Sequence, residues 1–141
     1  MSFAFVLDCS AALPWIFGDE ASEATDRLLN ELTLGGHAWV SSLWHLELAN
    51  ALVGAQRRDR IDQAGCEAFL SHLGEYDIRV DSETMSRAWS KTLDLALIYR
   101  LSVYDAAYLE LALRRDLPLA TLDGALLQAA RISGVGLALQ T

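Results

Sequence analysis

Four carboxylates in this chain stand where an acid needs a reason. Asp8 closes the apolar run of residues 3–7, and Asp123 closes the short apolar run at 119–120. Glu47 sits between Leu43, Asn50, Ala51 and Gly54 on an apolar helical pattern, with no basic residue one turn away on that helix. Asp105 shares a helical face with Tyr108, Leu109 and Ala112. In open α/β sheets, ligands bind outside the carboxyl ends of the strands, where Asp8 and Asp123 are expected. Acids on inward helix faces are costly unless paired or coordinated. Brought to one sheet edge, four such groups repel strongly unless cations sit among them. An oxygen-only cluster suits Mg²⁺ or Mn²⁺ and not zinc or copper. Ions of that kind activate water and stabilise a leaving oxygen in phosphodiester cleavage.

Each acid also has an ordinary structural role open to it, and Asp8, like Ser10, is a natural cap for the turn that follows. Ser102-Val103-Tyr104-Asp105 fits a capping box. Asp123 before Gly124 fits an N-cap. Glu47 could be satisfied by a partner from elsewhere in the fold.

The elements that must position these residues follow from periodicity. Residues 3–7 read as a strand buried on both faces, with Cys9 at its end, and the segment 11–15 as a helical turn. A helix is expected over 19–34, stopped by Gly35-Gly36. A short strand at 37–40 precedes a helix over 42–56, in which Leu43, Leu46, Ala49, Leu52 and Val53 predict deep embedding. Asp62 caps a helix ending at Leu73, faced by Cys66, Phe69 and Leu70. A strand at 77–80 and a helix over 82–99 come next. Met85, Ala88, Trp89, Thr92, Leu95, Ala96 and Tyr99 form that helix's expected core stripe. The helix at 102–115, the break at Pro118, a helix over 125–132 and a last strand at 136–139 complete the chain. Strands alternating with helices, without repeats or linkers, predict one α/β domain over residues 1–141, a three-layer fold with a mainly parallel central sheet flanked by helices.

Composition narrows the function classes. Hydrophobic residues make up 52% of the 141, enough for a packed core. A net charge of −8 argues against a broad basic surface for nucleic acid, but not against phosphate met through bound metal. Phosphate repulsion would then be relieved locally, by metal and by Arg57, Arg58, Arg60, Arg100, Arg114 and Arg115. The three histidines are scattered, without HExxH spacing. Cys9 and Cys66 show neither zinc-knuckle nor CxxC spacing, so buried thiols in a reducing cytoplasm are expected. No apolar run approaches a membrane span, and Met1-Ser2-Phe3 carries no basic leader.

Four blocks of the chain, taken together, resemble the PIN-domain ribonucleases, and among them the VapC-like toxins of bacterial type II toxin–antitoxin pairs. They are Leu7-Asp8-Cys9-Ser10 with Trp15 and Asp19-Glu20; the run from Leu46-Glu47 to Asn50-Ala51-Leu52; Leu101-Ser102-Val103-Tyr104-Asp105-Ala106-Ala107-Tyr108; and Leu119-Ala120-Thr121-Leu122-Asp123 before Ala129-Ala130 and Gly134-Val135. They occur in the family's order and span nearly the whole chain. The resemblance implies a metal-dependent endoribonuclease whose catalytic, Mg²⁺- or Mn²⁺-binding acids are Asp8, Glu47, Asp105 and Asp123. It implies supporting hydroxyls from Ser10 and Thr121, and an orienting role for Asn50. It also implies a homodimer and a VapB-like antitoxin that places a basic residue at the acids. Many relatives follow the last acid with a basic residue; here Gly124-Ala125 follow Asp123.

Two other functions compete. A phosphohydrolase using Asp8 as nucleophile would carry a second Asp two residues on, where this chain has Ser10. A non-catalytic interaction domain would use the four acids as caps and ion-pair partners, and would bind no Mn²⁺.

Overall fold

Short β-rich apolar runs, each followed by a helical pattern, form four parallel strands in the computed structural model, which describes residues 3–139. They are β1 (Ala4–Leu7), β2 (His37–Val40), β3 (Ile78–Val80) and β4 (Leu119–Ala120). The order across the sheet is β3-β2-β1-β4, and each pairing is parallel. Ala4 lies opposite His37, and Val6 opposite Leu119. Helices cover the central strands, as expected of buried parallel strands, while Arg79 and Val80 of the edge strand β3 are exposed. Phe5, Val6 and Leu7 of β1 are wholly buried.

The first helical turns follow β1 at once: α1 (Cys9–Ala12) runs into a 3₁₀ turn, Leu13–Trp15, with Pro14 near its start. Cys9 therefore opens α1 instead of ending the strand. Then comes α2 (Glu23–Thr33), shorter than the pattern suggests. Ser22 and Thr25 close a reciprocal capping box there, which fixes the helix start and leaves Gly18–Glu20 as a separate 3₁₀ turn. Next are α3 (Trp44–Arg57), α4 (Gln63–Leu73) capped by Asp62, and α5 (Thr84–Arg87). A π-helical turn at Ala88–Thr92 joins α5 to α6 (Leu93–Tyr99). The last two helices are α7 (Val103–Arg115) and α8 (Gly124–Ser133), the latter ended by Gly134 at φ +83°.

Several expectations fail for physical reasons. The buried stripe of α3 is Trp44, Leu48, Leu52 and Ala55, while Leu46, Ala49 and Val53 are exposed. Only one side of α3 meets the core, so its second apolar face has nothing to cover it. Leu70 of α4 is likewise half exposed. Along α5 and α6, Thr92, Leu95 and Ala96 are buried as expected, but Met85 is 61% and Trp89 94% exposed. The π turn carries one extra residue, which rotates what precedes it by about 100°. The buried position upstream is thus Thr84, one residue earlier than a regular helix would place it. The strand expected at 136–139 reduces to a single parallel bridge, Leu119 to Leu137. Both cysteines are buried and unpaired.

Candidate active site

Because the strands run in one direction, the residues that follow them emerge on one edge. Asp8, Ser41, Asp81 and Thr121 follow β1, β2, β3 and β4, and each is at most 4% exposed. Two of these four are acids, and their surroundings differ.

Asp81 is neutralised. Arg114 of α7 grips it with two nitrogens, at 2.7 and 3.2 Å, and the Thr84 hydroxyl donates to it at 2.9 Å. Burial works against its charge, but these donors outweigh burial and hold the carboxyl below its usual range. Arg114 also binds Glu110 and Glu83. This strand-end acid, which sequence patterning passes over, is structural. Its signal in the sequence is faint: a carboxylate just past β3, with its arginine 33 residues on.

Among the described residues the side chains that donate to Asp8 are hydroxyls alone, and the Cys9 backbone adds its N–H. Ser10 Oγ and Thr121 Oγ1 both donate to its Oδ2 at 2.7 Å. Backbone amides hold those hydroxyls in turn: Leu122 N–H donates to Ser10 at 2.9 Å, and Asp123 N–H to Thr121 at 3.0 Å. The loop after β4 thus orients the carboxylate at the end of β1, and Oδ1 accepts no side-chain hydrogen bond among the described residues. Burial raises the carboxyl above its usual range, against the pull of both hydroxyls, and the Asp123 charge adds to the rise.

Glu47 and Asp105 are half-buried beside it, on α3 and α7. Burial raises both carboxyls, and the Asp8 charge pushes each further. Tyr108 donates to Glu47 Oε1 at 2.6 Å. Asp105 follows the cap of α7, where Ser102 Oγ accepts its backbone N–H, so the expected cap is formed on that side. Asp123 does cap α8, accepting from Leu126 N–H at 2.9 Å. Burial and the charges of Asp8 and Glu47 push the Cys9 thiol up to about 12, leaving an inert thiol beside the acids. Asn50 is exposed and makes no side-chain hydrogen bond among the described residues.

The four acids therefore act on one another electrostatically, and the charges acting on Asp8, Glu47 and Asp105 are other carboxylates. Yet among the described residues no three His, Cys, Asp or Glu side chains converge tightly enough to cage a metal ion. The donor type, carboxylate oxygen throughout, suits a hard cation better than a soft one. Mg²⁺ keeps several waters and needs about one or two carboxylates, whereas a structural zinc site closes on about four protein donors. The all-oxygen, uncompensated donor set fits such an ion chemically.

A groove of about 510 Å³ lined by Trp15, Ile16, Leu29, Ile61, Phe69 and Tyr76 contains none of the four acids. Its lining is mainly apolar, with His72 among it, and it holds no carboxylate. Of the arginines expected to meet phosphate, Arg60 is held by Asp19 and Glu20 and lies over Phe17. Arg114 is bound within its acid cluster, and Arg115 stacks 3.4 Å over the Trp39 ring. Arg57, Arg58 and Arg100 are exposed and hold no ion pair among the described residues.

A model of the PIN domain matches residues 5–132, nearly the full length. The chain belongs to the PIN-domain family. PIN-domain proteins are nucleases, and nucleases of this family use divalent metal ions. No curated protein matches this PIN domain by sequence. Solved structures do resemble it. PAE2754 from Pyrobaculum aerophilum is 22% identical with a TM-score of 0.67, over 92% of this chain and 86% of that one. A toxin–antitoxin complex from Klebsiella pneumoniae gives 17% and 0.61, over 97% and 99%. VapBC2 from Rickettsia felis, bound to a DNA fragment from its promoter, gives 16% and 0.64, over 96% and 97%. At these identities the likeness is one of fold. Among the described residues no helix is long and apolar enough to cross a membrane.

Proposed function

We propose that this PIN domain is a Mg²⁺- or Mn²⁺-dependent endoribonuclease and the toxin of a type II toxin–antitoxin pair. The observation that carries the reading is the contrast at the sheet edge. Asp81 is neutralised by Arg114, whereas Asp8 is buried, held by two hydroxyls and pressed only by other carboxylates. A buried carboxylate pressed by other carboxylates is costly to keep charged, and a bound cation would offset that cost.

Asp8, Glu47, Asp105 and Asp123 would hold the metal, which supplies an activated water and neutralises charge on the scissile phosphate. The protein's share is to fix its oxygens. Ser10 and Thr121 hold Asp8, and the backbone of the loop after β4 holds Ser10 and Thr121. Asp123 serves both as cap and as edge acid, since a cap uses one carboxylate oxygen and leaves the other. Of the arginines expected to meet phosphate, Arg57, Arg58 and Arg100 are the ones that hold neither an ion pair nor a ring contact among the described residues. The toxin role rests on the likeness to toxin–antitoxin complexes together with the acid edge, which suits a basic antitoxin side chain, best an Arg. Such a toxin dimerises and works in the cytoplasm beside its RNA.

One observation favours the non-catalytic reading: Asp123 and Glu47 both have structural partners, Leu126 N–H and Tyr108. Cleavage of single-stranded RNA decides between them. Purified protein is expected to cleave with Mg²⁺ or Mn²⁺, to stop in EDTA, and to be inactive as Asp8→Asn. An Asp8→Asn protein cleaving at the wild-type rate would sink the assignment.

A further inference from the structure

Tyr108 is wholly buried, and its hydroxyl reaches no backbone carbonyl but a carboxylate 61 residues away. The bond to Glu47 Oε1, at 2.6 Å, lies in the charge-assisted range of about 2.5–2.7 Å. Among the described residues it is the one side-chain hydrogen bond that Glu47 receives, and Oε2 receives none. A phenol enclosed in a core has two torsions, both set by packing. The donor is therefore rigid, although the carboxylate it holds is only half-buried.

Its place in the helix adds to this. Tyr108 follows Asp105 by one turn on α7, so the two share a face. One helix thus presents Asp105 directly and controls Glu47, which belongs to α3, through the phenol. Without the hydroxyl, no other side chain among the described residues would fix the Glu47 head against the repulsion of Asp8 and Asp105. Burial and the Glu47 contact raise the phenol far above its usual range, so it remains a donor.

We propose that Tyr108 is a positioning residue for the divalent-metal site, its buried phenol holding the Glu47 carboxylate at the acid edge through the 2.6 Å bond. This rests on the metal-dependent nuclease reading above. Tyr108 touches neither substrate nor metal and acts through Glu47.

The test is Mn²⁺ binding to the full chain by calorimetry, without substrate. Tyr108→Phe removes one oxygen and keeps the ring. It is expected to weaken Mn²⁺ binding about 10- to 100-fold, the usual effect of losing a group that orients a ligand. In a Glu47→Gln background the same change should do nothing further, because its route is gone. Leu111→Ala, another buried change on α7, should lower the melting temperature in EDTA yet leave Mn²⁺ affinity alone. A measurement without a variant at Tyr108 guards against a folding failure. Mg²⁺ should produce a tyrosine ultraviolet difference band in the wild type that Glu47→Gln loses. Wild-type affinity in Tyr108→Phe, an equal loss in Leu111→Ala, or an unchanged band in Glu47→Gln would overturn the proposal while leaving the nuclease reading intact. A wild-type protein that binds no Mn²⁺ would overturn both.

Discussion

At the scale of single residues, Asp8 behaves as a group whose charge the fold opposes. Its raised carboxyl means the folded chain keeps a proton that the unfolded chain releases above the ordinary value of 3.8. Stability attributable to it is therefore highest at low pH and falls as pH climbs from that value through the folded one. Glu47 and Asp105 act in the same sense. Asp81 and Glu83, held below their usual range, act oppositely: their contribution is present above the ordinary values and is lost on acidification. In EDTA at pH 7, Asp8→Asn should therefore melt above the wild type, and the gap should close towards pH 3.8. Melts across pH check this, and a lower melting point for the variant at pH 7 would mark Asp8 as structural. Glu47→Gln tests the neighbouring oxygen. Excess Mn²⁺ should stabilise the wild type by about 2.7 kcal/mol at a hundred times Kd, and the variant by much less. Equal stabilisation of the two proteins would favour a purely structural Glu47.

At the scale of elements, α7 ties the sheet edge together from both ends. Near its start it carries Asp105 and Tyr108; near its end Arg114 serves Asp81, Glu110 and Glu83. Asp81 and Glu110 are at most 3% exposed, so removing their cation strands two buried charges. Arg114→Ala should cost roughly 3–5 kcal/mol in denaturant melts, and Lys should restore little because it lacks the planar fork. A loss below 1 kcal/mol would mean the cluster is solvated. The tryptophans give a paired test of the π turn. Trp44→Ala in α3 should cost about 3–5 kcal/mol, since Trp44 is 1% exposed. Trp89→Ala should change monomer stability by no more than about 0.5 kcal/mol, since Trp89 is 94% exposed. Comparable losses at both would put Trp89 in a core.

At the scale of the whole molecule, an acidic protein must act on a polyanion. With Arg60 and Arg114 held in ion pairs and Arg115 stacked on Trp39, local relief falls to the metal and to Arg57, Arg58 and Arg100. Cleavage should therefore weaken only modestly with added monovalent salt, because few phosphate contacts release few counterions. A steep salt slope measured at fixed Mg²⁺ would contradict this. As a toxin the chain should run at twice the 15.5 kDa of one copy in light scattering, and its antitoxin should abolish RNase activity on binding. Replacing the antitoxin's basic residue with Ala should weaken inhibition more than binding.

What the amino-acid sequence determined by itself was local or periodic. Apolar runs ending in Asp8 and Asp123, the Asp62 and Ser102 caps and the alternation of strand with helix were enough for a parallel α/β sheet. The four spaced acids and their flanking blocks were enough for the PIN resemblance. Only tertiary structure decided which acids are neutralised, because that depends on partners far along the chain. Arg114 reaches Asp81 across 33 residues, and Thr121 reaches Asp8 across 113. Tertiary structure alone also decided which apolar faces are covered. Leu46 and Trp89 obey helical periodicity, but one has no element packed over it and the other lies within a π turn that breaks the regular phase and leaves it exposed. Periodicity states which residues could share a face; burial depends on what the rest of the chain lays against it.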